Sequence, residues 1–262
     1  MQARRGDNLV STGSAHAIPV LPDRESDQGL TMHHLLKIAA LFLLVSGCTE
    51  TVSRDDPARI LAMGDSMLAV HGGSGNSVSH AVERVLGEDV IDRSVMGAKY
   101  FYALPISGSA GLNIRKQYVN GKWDWVVLNG GGNDIWMGCG CGRCDNRINR
   151  LISKDGRRGT IPGFVSDLRG KGSQVILLGY LRTPGVASPI EGCRDEGDEM
   201  DRRMSRLAKL DRGVHFLSLA DVVPHGDRSY HTVDLVHPSA KGSTEIGKRV
   251  AEVIRKTEAS RR

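Results

Sequence analysis

Five short apolar runs, separated by longer stretches of helical periodicity, constrain this chain's fold more than any other feature. They are 59–63 (RILAM), 89–95 (DVIDRSV), 124–129 (DWVVLN), 174–180 (QVILLGY) and 213–218 (GVHFLS). Amphipathic helical candidates lie near 76–87, 110–119, 145–154, 161–170 and 195–210. A last one runs from about 239 to 257, with Ile246, Val250, Val253 and Ile254 at helical spacing. Strands joined through helices pair in parallel, so the alternation predicts βαβ units and a mostly parallel sheet covered on both faces. No internal repeat or low-complexity tract interrupts the pattern. One domain over 59–258 is the simplest organisation, and 262 residues suffice for a substantial core.

The net charge is +5, with basic residues spread along the chain among acids. There is no basic block or aromatic-basic stripe, which argues against a nucleic-acid partner. Such a mild positive balance suits an anionic lipid surface without establishing one.

The N-terminal region carries an export pattern. Ile38 to Ser46 (IAALFLLVS) follows Lys37 and is too short to span a bilayer as a helix. A positive flank, a short apolar run and small residues before a cut form a secretory signal. Its end, Val45-Ser46-Gly47-Cys48, resembles a bacterial lipobox. That resemblance implies Cys48 as the lipidated first residue of the mature protein. Counting back gives a signal over 32–47 starting at Met32, with 1–31 a doubtful or disordered extension. Residues 48–58, polar and containing Pro57, read as a tether.

Four cysteines remain: Cys139, Cys141, Cys144 and Cys193. An exported protein meets an oxidising compartment, so an even number argues for two disulfides. Of the three pairings, one joining Cys139 to Cys141 closes the tightest ring and is the least favourable geometrically. Zinc is the rival reading of three thiols within six residues.

Several polar positions fall where open α/β folds build sites, at the carboxyl edge of the sheet. The first run stops on Gly64-Asp65-Ser66, which puts a hydroxyl there. The second is followed by Gly97, the third by Gly130-Gly131-Gly132-Asn133-Asp134. Consecutive glycines permit close approach and read as a loop bearing Asn133, whose amide can donate a hydrogen bond. Just before the last helix comes Asp234-Leu-Val-His237-Pro238, in which a carboxylate three residues from an imidazole can orient it as a base. His225 and His231 are expected on loops or the surface, and His71 and His80, in a Gly-rich segment after Ser66, are expected at most to line the pocket and are assigned no chemistry. Asp65 and Asp134 are expected to cap turns or helices. Trp123 and Trp125 are expected in the core and Trp136 at the pocket wall.

The order of these motifs resembles the SGNH (GDSL-type) hydrolase superfamily over about residues 58–257. The four name-giving residues match as Ser66, Gly97, Asn133 and His237, with Asp234 at the position of the supporting acid. The resemblance implies a three-layer α/β/α flavodoxin-like sandwich around a five-stranded parallel sheet. It implies Ser66 as nucleophile, His237 as base and Asp234 as its partner. The oxyanion hole would comprise the Ser66 and Gly97 N–H groups and the Asn133 amide. No Gly-x-Ser-x-Gly elbow occurs, so the α/β-hydrolase scaffold is excluded.

The expected protein is therefore a periplasm-facing serine esterase or acylhydrolase, anchored to the membrane through Cys48. Its substrate would be a small-molecule, carbohydrate or lipid ester, and it would need no metal or organic cofactor. Acyl transfer to a sugar hydroxyl would use the same residues. A catalytically silent cell-envelope binding lipoprotein is the alternative from another class. Segments 71–79, 98–108 and 181–194 are expected to shape the pocket, and the ester itself is not legible.

Overall fold

The computed structural model describes residues 57–185 and 188–261, which belong to one compact unit. The expected extension at 1–31, signal at 32–47, Cys48 and most of the tether lie outside the described residues. Within them, no helix is long and apolar enough to cross a membrane.

Each predicted apolar run forms a strand: β1 (Ile60–Met63), β2 (Val90–Asp92), β3 (Trp125–Leu128), β4 (Gln174–Leu178) and β5 (Val214–Leu217). They pair in the order β2-β1-β3-β4-β5, with every pair parallel. Alternation across the pleat divides the interior. Leu61, Met63, Val126, Leu128, Val175 and Leu177 enter one core cluster. Ile60, Ala62, Trp125, Val127, Ile176 and Leu178 enter the other. A sheet with two dry faces must be covered twice, and the expected three-layer sandwich is the result.

The helices that matter are α1 (Ser66–Ala69), α2 (Val78–Leu86), α3 (Gly132–Cys139), α4 (Asp145–Leu151), α5 (Thr160–Gly170), α6 (Arg194–Leu210) and α7 (Ala240–Ala259). Ile148 and Leu151 of α4, Phe164 and Leu168 of α5, and Met200 and Met204 of α6 cover the first face. Val78 and Val82 of α2 cover the second with Ile246, Val250 and Ile254 of α7. A Cβ at Gly247 of α7 would stand 2.4 Å from that of Ala81, so a glycine sets how closely these two helices cross. Fully burying each of these apolar side chains stabilises by about 1.5–3 kcal/mol relative to exposure.

Two expectations are corrected. The helix expected near 110–119 is a wide turn over Gly108–Leu112 followed by a single 3₁₀ turn, Ile114–Gln117. Gly111 sits at φ 104°, outside helical space, and breaks the periodicity. Asn133, expected in a loop, lies instead in the first turn of α3, because left-handed Gly131 (φ 106°) caps that helix.

Candidate active site

In the order 2-1-3 the chain reverses direction across the sheet at β1, so a crevice opens beyond the carboxyl ends of β1 and β3. Ser66 follows β1 and Asn133 follows β3. With His237, both line one cleft of about 110 Å³.

The turn carrying Ser66 is fastened to the core. A Cβ at Gly64 would meet the Asn129 carbonyl at 2.8 Å. Buried Gln117 grips this residue twice: its Oε1 accepts from Gly64 N–H at 2.7 Å and its Nε2 donates to Gly64 O at 2.7 Å. The same Nε2 also donates to Gly111 O at 2.8 Å. A side chain thus completes the backbone pairing where the strand has ended. Asp65 caps α1 as expected, its Oδ1 accepting from Met67 N–H at 3.1 Å. Ser66 is therefore the first residue of a helix, whose N–H has no intrahelical acceptor.

Tyr180, just past β4, donates its hydroxyl to Asp65 Oδ2 and accepts from Gly132 N–H at 2.8 Å. One phenol therefore joins the Ser66 turn to the start of α3. A Cβ at Gly132 would come within 2.7 Å of the Tyr180 ring, so this glycine admits a protein side chain. Burial pushes the Asp65 carboxyl up to about 6, opposed by the Tyr180 and Met67 hydrogen bonds. Burial raises the Tyr180 hydroxyl too, and the Asp65 charge adds to that, which keeps the phenol a donor.

Asn133 gives one amide proton to Ala98 O at 3.1 Å, which leaves its other proton for the cleft. Asp134 is not a helix cap. Its Oδ2 and Oδ1 accept from Tyr100 and Phe101 N–H, each at 2.8 Å, which clamps the segment after Gly97 onto α3. Gly97 holds φ 75°, where a side chain would be strained. It does not wall the cleft and lies next to the carbonyl that Asn133 holds.

The Asp234–His237 turn is local. His237 Nδ1 meets Asp234 Oδ2 at 2.6 Å. The carboxylate holds Nδ1 and leaves Nε2 available. Asp234 Oδ1 accepts from the Thr232 hydroxyl at 2.6 Å, Val236 N–H at 2.9 Å and His237 N–H at 3.1 Å. Burial opposes the charge. The Thr232 hydroxyl, the His237 ring and those two N–H groups outweigh it and hold this carboxyl well below the usual range.

No other histidine considered from the sequence walls the cleft. His71 Nε2 lies 3.1 Å from Pro238 O and braces the His237 turn. His80 pairs with Ser77, and His225 packs on Gly185. His231 is buried with neither ring nitrogen hydrogen-bonded, and burial lowers its pKa against the charge of Asp234.

Met67, Ile135, Trp136, Leu181, Ile190 and Met200 form the apolar wall. The wall's cations are engaged: Arg182 pairs with Asp198 and Asp201 at 2.7 and 2.8 Å, and Arg194 with Glu191 at 3.0 Å. Of the three segments expected to shape the pocket, 181–194 does so, whereas 71–79 and 98–108 do not. Trp136 takes its expected place, and Trp123 and Trp125 are buried. Sequence reasoning missed Gln117, Tyr180 and Arg182; no local pattern marks them.

The cysteines pair as Cys139–Cys144 and Cys141–Cys193. Neither leaves a thiolate for the zinc alternative. The second bridge ties the end of α3 to the start of α6, and Cys193 walls the cleft.

Comparison with curated proteins gives no match. Solved structures share the fold. A carbohydrate acetylesterase family member from Sinorhizobium meliloti aligns at TM-score 0.54 with 13% identity, over 76% of this chain and 98% of its own. A protein from Slackia heliotrinireducens, provisionally assigned as an SGNH hydrolase, aligns at 0.54 with 18% identity over 75% and 98%. An acetyl xylan esterase from the rumen bacterium Butyrivibrio proteoclasticus aligns at 0.50 with 14% identity over 78% and 65%. The sequence itself matches a family profile over residues 62–244, and the chain thus belongs to the GDSL-like lipase/acylhydrolase family.

Proposed function

We propose that the protein is a serine ester hydrolase for short, uncharged acyl groups. The observation that carries this reading is the 2.6 Å contact between Asp234 and His237 at the rim of a cleft shared with Ser66 and Asn133. Ser66 Oγ attacks the ester carbonyl while His237 Nε2 takes its proton, and Asp234 steadies the resulting imidazolium. The oxyanion accepts from the Ser66 N–H group and the unused Asn133 proton. Collapse of the tetrahedral adduct expels the alcohol, which leaves with the proton held by His237. Water, deprotonated by the same ring, then attacks the acyl-Ser66 ester and releases the acid. A small apolar cleft with every wall cation paired favours a short neutral acyl chain over an anionic one. The acetylesterases that share the fold are consistent with an acetyl or similar ester.

A fluorophosphonate probe tests the assignment directly. Labelling is expected at Ser66 and absent in Ser66→Ala. An intact protein that neither labels nor cleaves an activated acetate ester would overturn it. We also propose export as a lipoprotein anchored at Cys48 and facing the periplasm, supported by the signal-like 32–47 segment. Metabolic fatty-acid labelling that persists in Cys48→Ser would refute the anchor.

A further inference from the structure

Large apolar side chains left in water are unevenly placed on this molecule. Met96, Leu104, Ile106, Trp136, Met137 and Val233 are all exposed. Met96, Leu104 and Ile106 follow β2, Trp136 and Met137 belong to α3, and Val233 adjoins Asp234, so all six fall in segments that follow the carboxyl ends of strands, and of them Trp136 walls the cleft. Among the described residues, Leu210 is the other large exposed hydrophobic, at the far end of α6. Ile106 is 88% exposed and Leu104 64%, which no packing role explains.

Internal bonds hold the turn bearing these two in shape. Gly108 N–H donates to Leu104 O at 2.9 Å, Asn113 Nδ2 donates to Tyr102 O at 3.3 Å, and Tyr102 and Ser107 hydroxyls meet at 2.9 Å. A tip with several of its polar groups already paired can enter an apolar phase with less desolvation cost. It is also bracketed by positive charge. From Arg93 to Trp123 the sequence has five basic residues and no acid. The Lys99 ammonium lies 5.8 Å from the Tyr102 ring centroid, and Lys116 Nζ lies 3.4 Å from Ser109 Oγ, within the same loop. Arg147 and Arg150 stack on Phe101 at 5.5 and 4.4 Å. Arg115 faces Asp167 of α5 at 3.9 Å, which leaves Lys99 and Lys116 as the cations beside the turn, and apolar tips flanked by cations are the pattern of a surface that settles on anionic lipid.

We propose that the turn over residues 99–116 docks on an anionic lipid surface, with Leu104 and Ile106 inserting and Lys99 and Lys116 meeting headgroups, and that α3, joined to this turn by Arg147 between Phe101 and the Gly138 carbonyl, brings Trp136 of the cleft wall to the same surface. The inference rests on the esterase reading only for the name of the cleft, and its test needs no turnover. Trp136 is the exposed indole, whereas Trp123 and Trp125 are 5% and 1% exposed. Bromine-labelled phosphatidylcholine vesicles containing phosphatidylglycerol should therefore quench Trp136 when the full chain binds.

Leu104→Asp combined with Ile106→Asp should lower the partitioning seen by quenching about 100-fold or more. Neutralising Lys99 or Lys116 with Gln should lower it about fivefold each. Turnover of a monomeric soluble ester should be unchanged in these variants, which verifies folding. Absence of quenching on phosphatidylglycerol vesicles, or quenching undiminished in the double Asp variant, would overturn the proposal. So would equal quenching on vesicles of phosphatidylcholine alone.

Discussion

The two sides of the candidate site are built by different means. The Ser66–Asn133 side is held by long-range bonds: Gln117 reaches 53 residues back to Gly64, and Tyr180 spans 115 to Asp65 and 48 to Gly132. The Asp234–His237 side is held by groups two or three residues from the carboxylate. The first is buried in the sheet's edge, and the second stands in a half-exposed turn. In the proposed mechanism, rigidity is thus concentrated where an oxyanion would be met at fixed distances. The proposed base would need only to be turned correctly, and a short turn suffices for that.

The comparison breaks most visibly in activity. Asp234→Ala should lower kcat on the order of 10⁴-fold, because the imidazole loses its orienting partner, while the melting temperature moves little. A steady-state assay beside a thermal melt separates the two readouts. A variant as active as wild type would end the claim that this carboxylate serves the ring.

Gln117→Leu should do the reverse on the other side. It strands the Gly64 N–H and the Gly111 carbonyl in the core, at about 1–3 kcal/mol for each unpaired group, while the Gly64 carbonyl keeps the Val95 N–H at 3.1 Å. A urea titration that finds stability unchanged would show that Gln117 does not hold the Ser66 turn.

The buried carboxyl at Asp65 makes that side pH-dependent. Its folded pKa of about 6 lies above the ordinary 3.8. The folded state therefore binds the extra proton between those values. The stability it contributes is complete below about 4 and is lost as pH rises through about 6. Melting curves of wild type and Asp65→Asn across that range should converge on the acid side and diverge above it. Parallel curves would mean that Asp65 titrates normally.

Thr232→Val should have the smallest effect. It removes one hydroxyl from an exposed carboxylate that keeps two N–H donors and the ring, so about 0.5–1.5 kcal/mol is at stake. A modest rise in the acid limb of the pH–rate profile is expected, because Asp234 then protonates more readily. A loss as large as that of Asp234→Ala would show that the turn is not redundantly braced.

The same contrast explains what could be read in advance. Gly64-Asp65-Ser66 and Asp234-Leu-Val-His237 are contiguous, and their chemistry depends on neighbours within a turn. The five strands announce themselves because burial on both faces demands unbroken apolar runs. The helix start at Asn133 was hidden because its cap is a left-handed glycine rather than a side chain. The stretch near 110–119 misled because its apolar spacing serves a glycine-broken turn that positions Gln117.

From the sequence alone came the five-stranded parallel α/β plan, the edge of the sheet that bears the site, and the residue types placed there. These follow from periodicity and turn chemistry, which act over a few residues. Only the tertiary structure decided the pairing of Cys139 with Cys144 and Cys141 with Cys193, the role of Tyr180 between Asp65 and Gly132, and which segment walls the cleft. Those depend on groups tens of residues apart arriving within 3 Å, a distance that packing sets and local pattern does not encode.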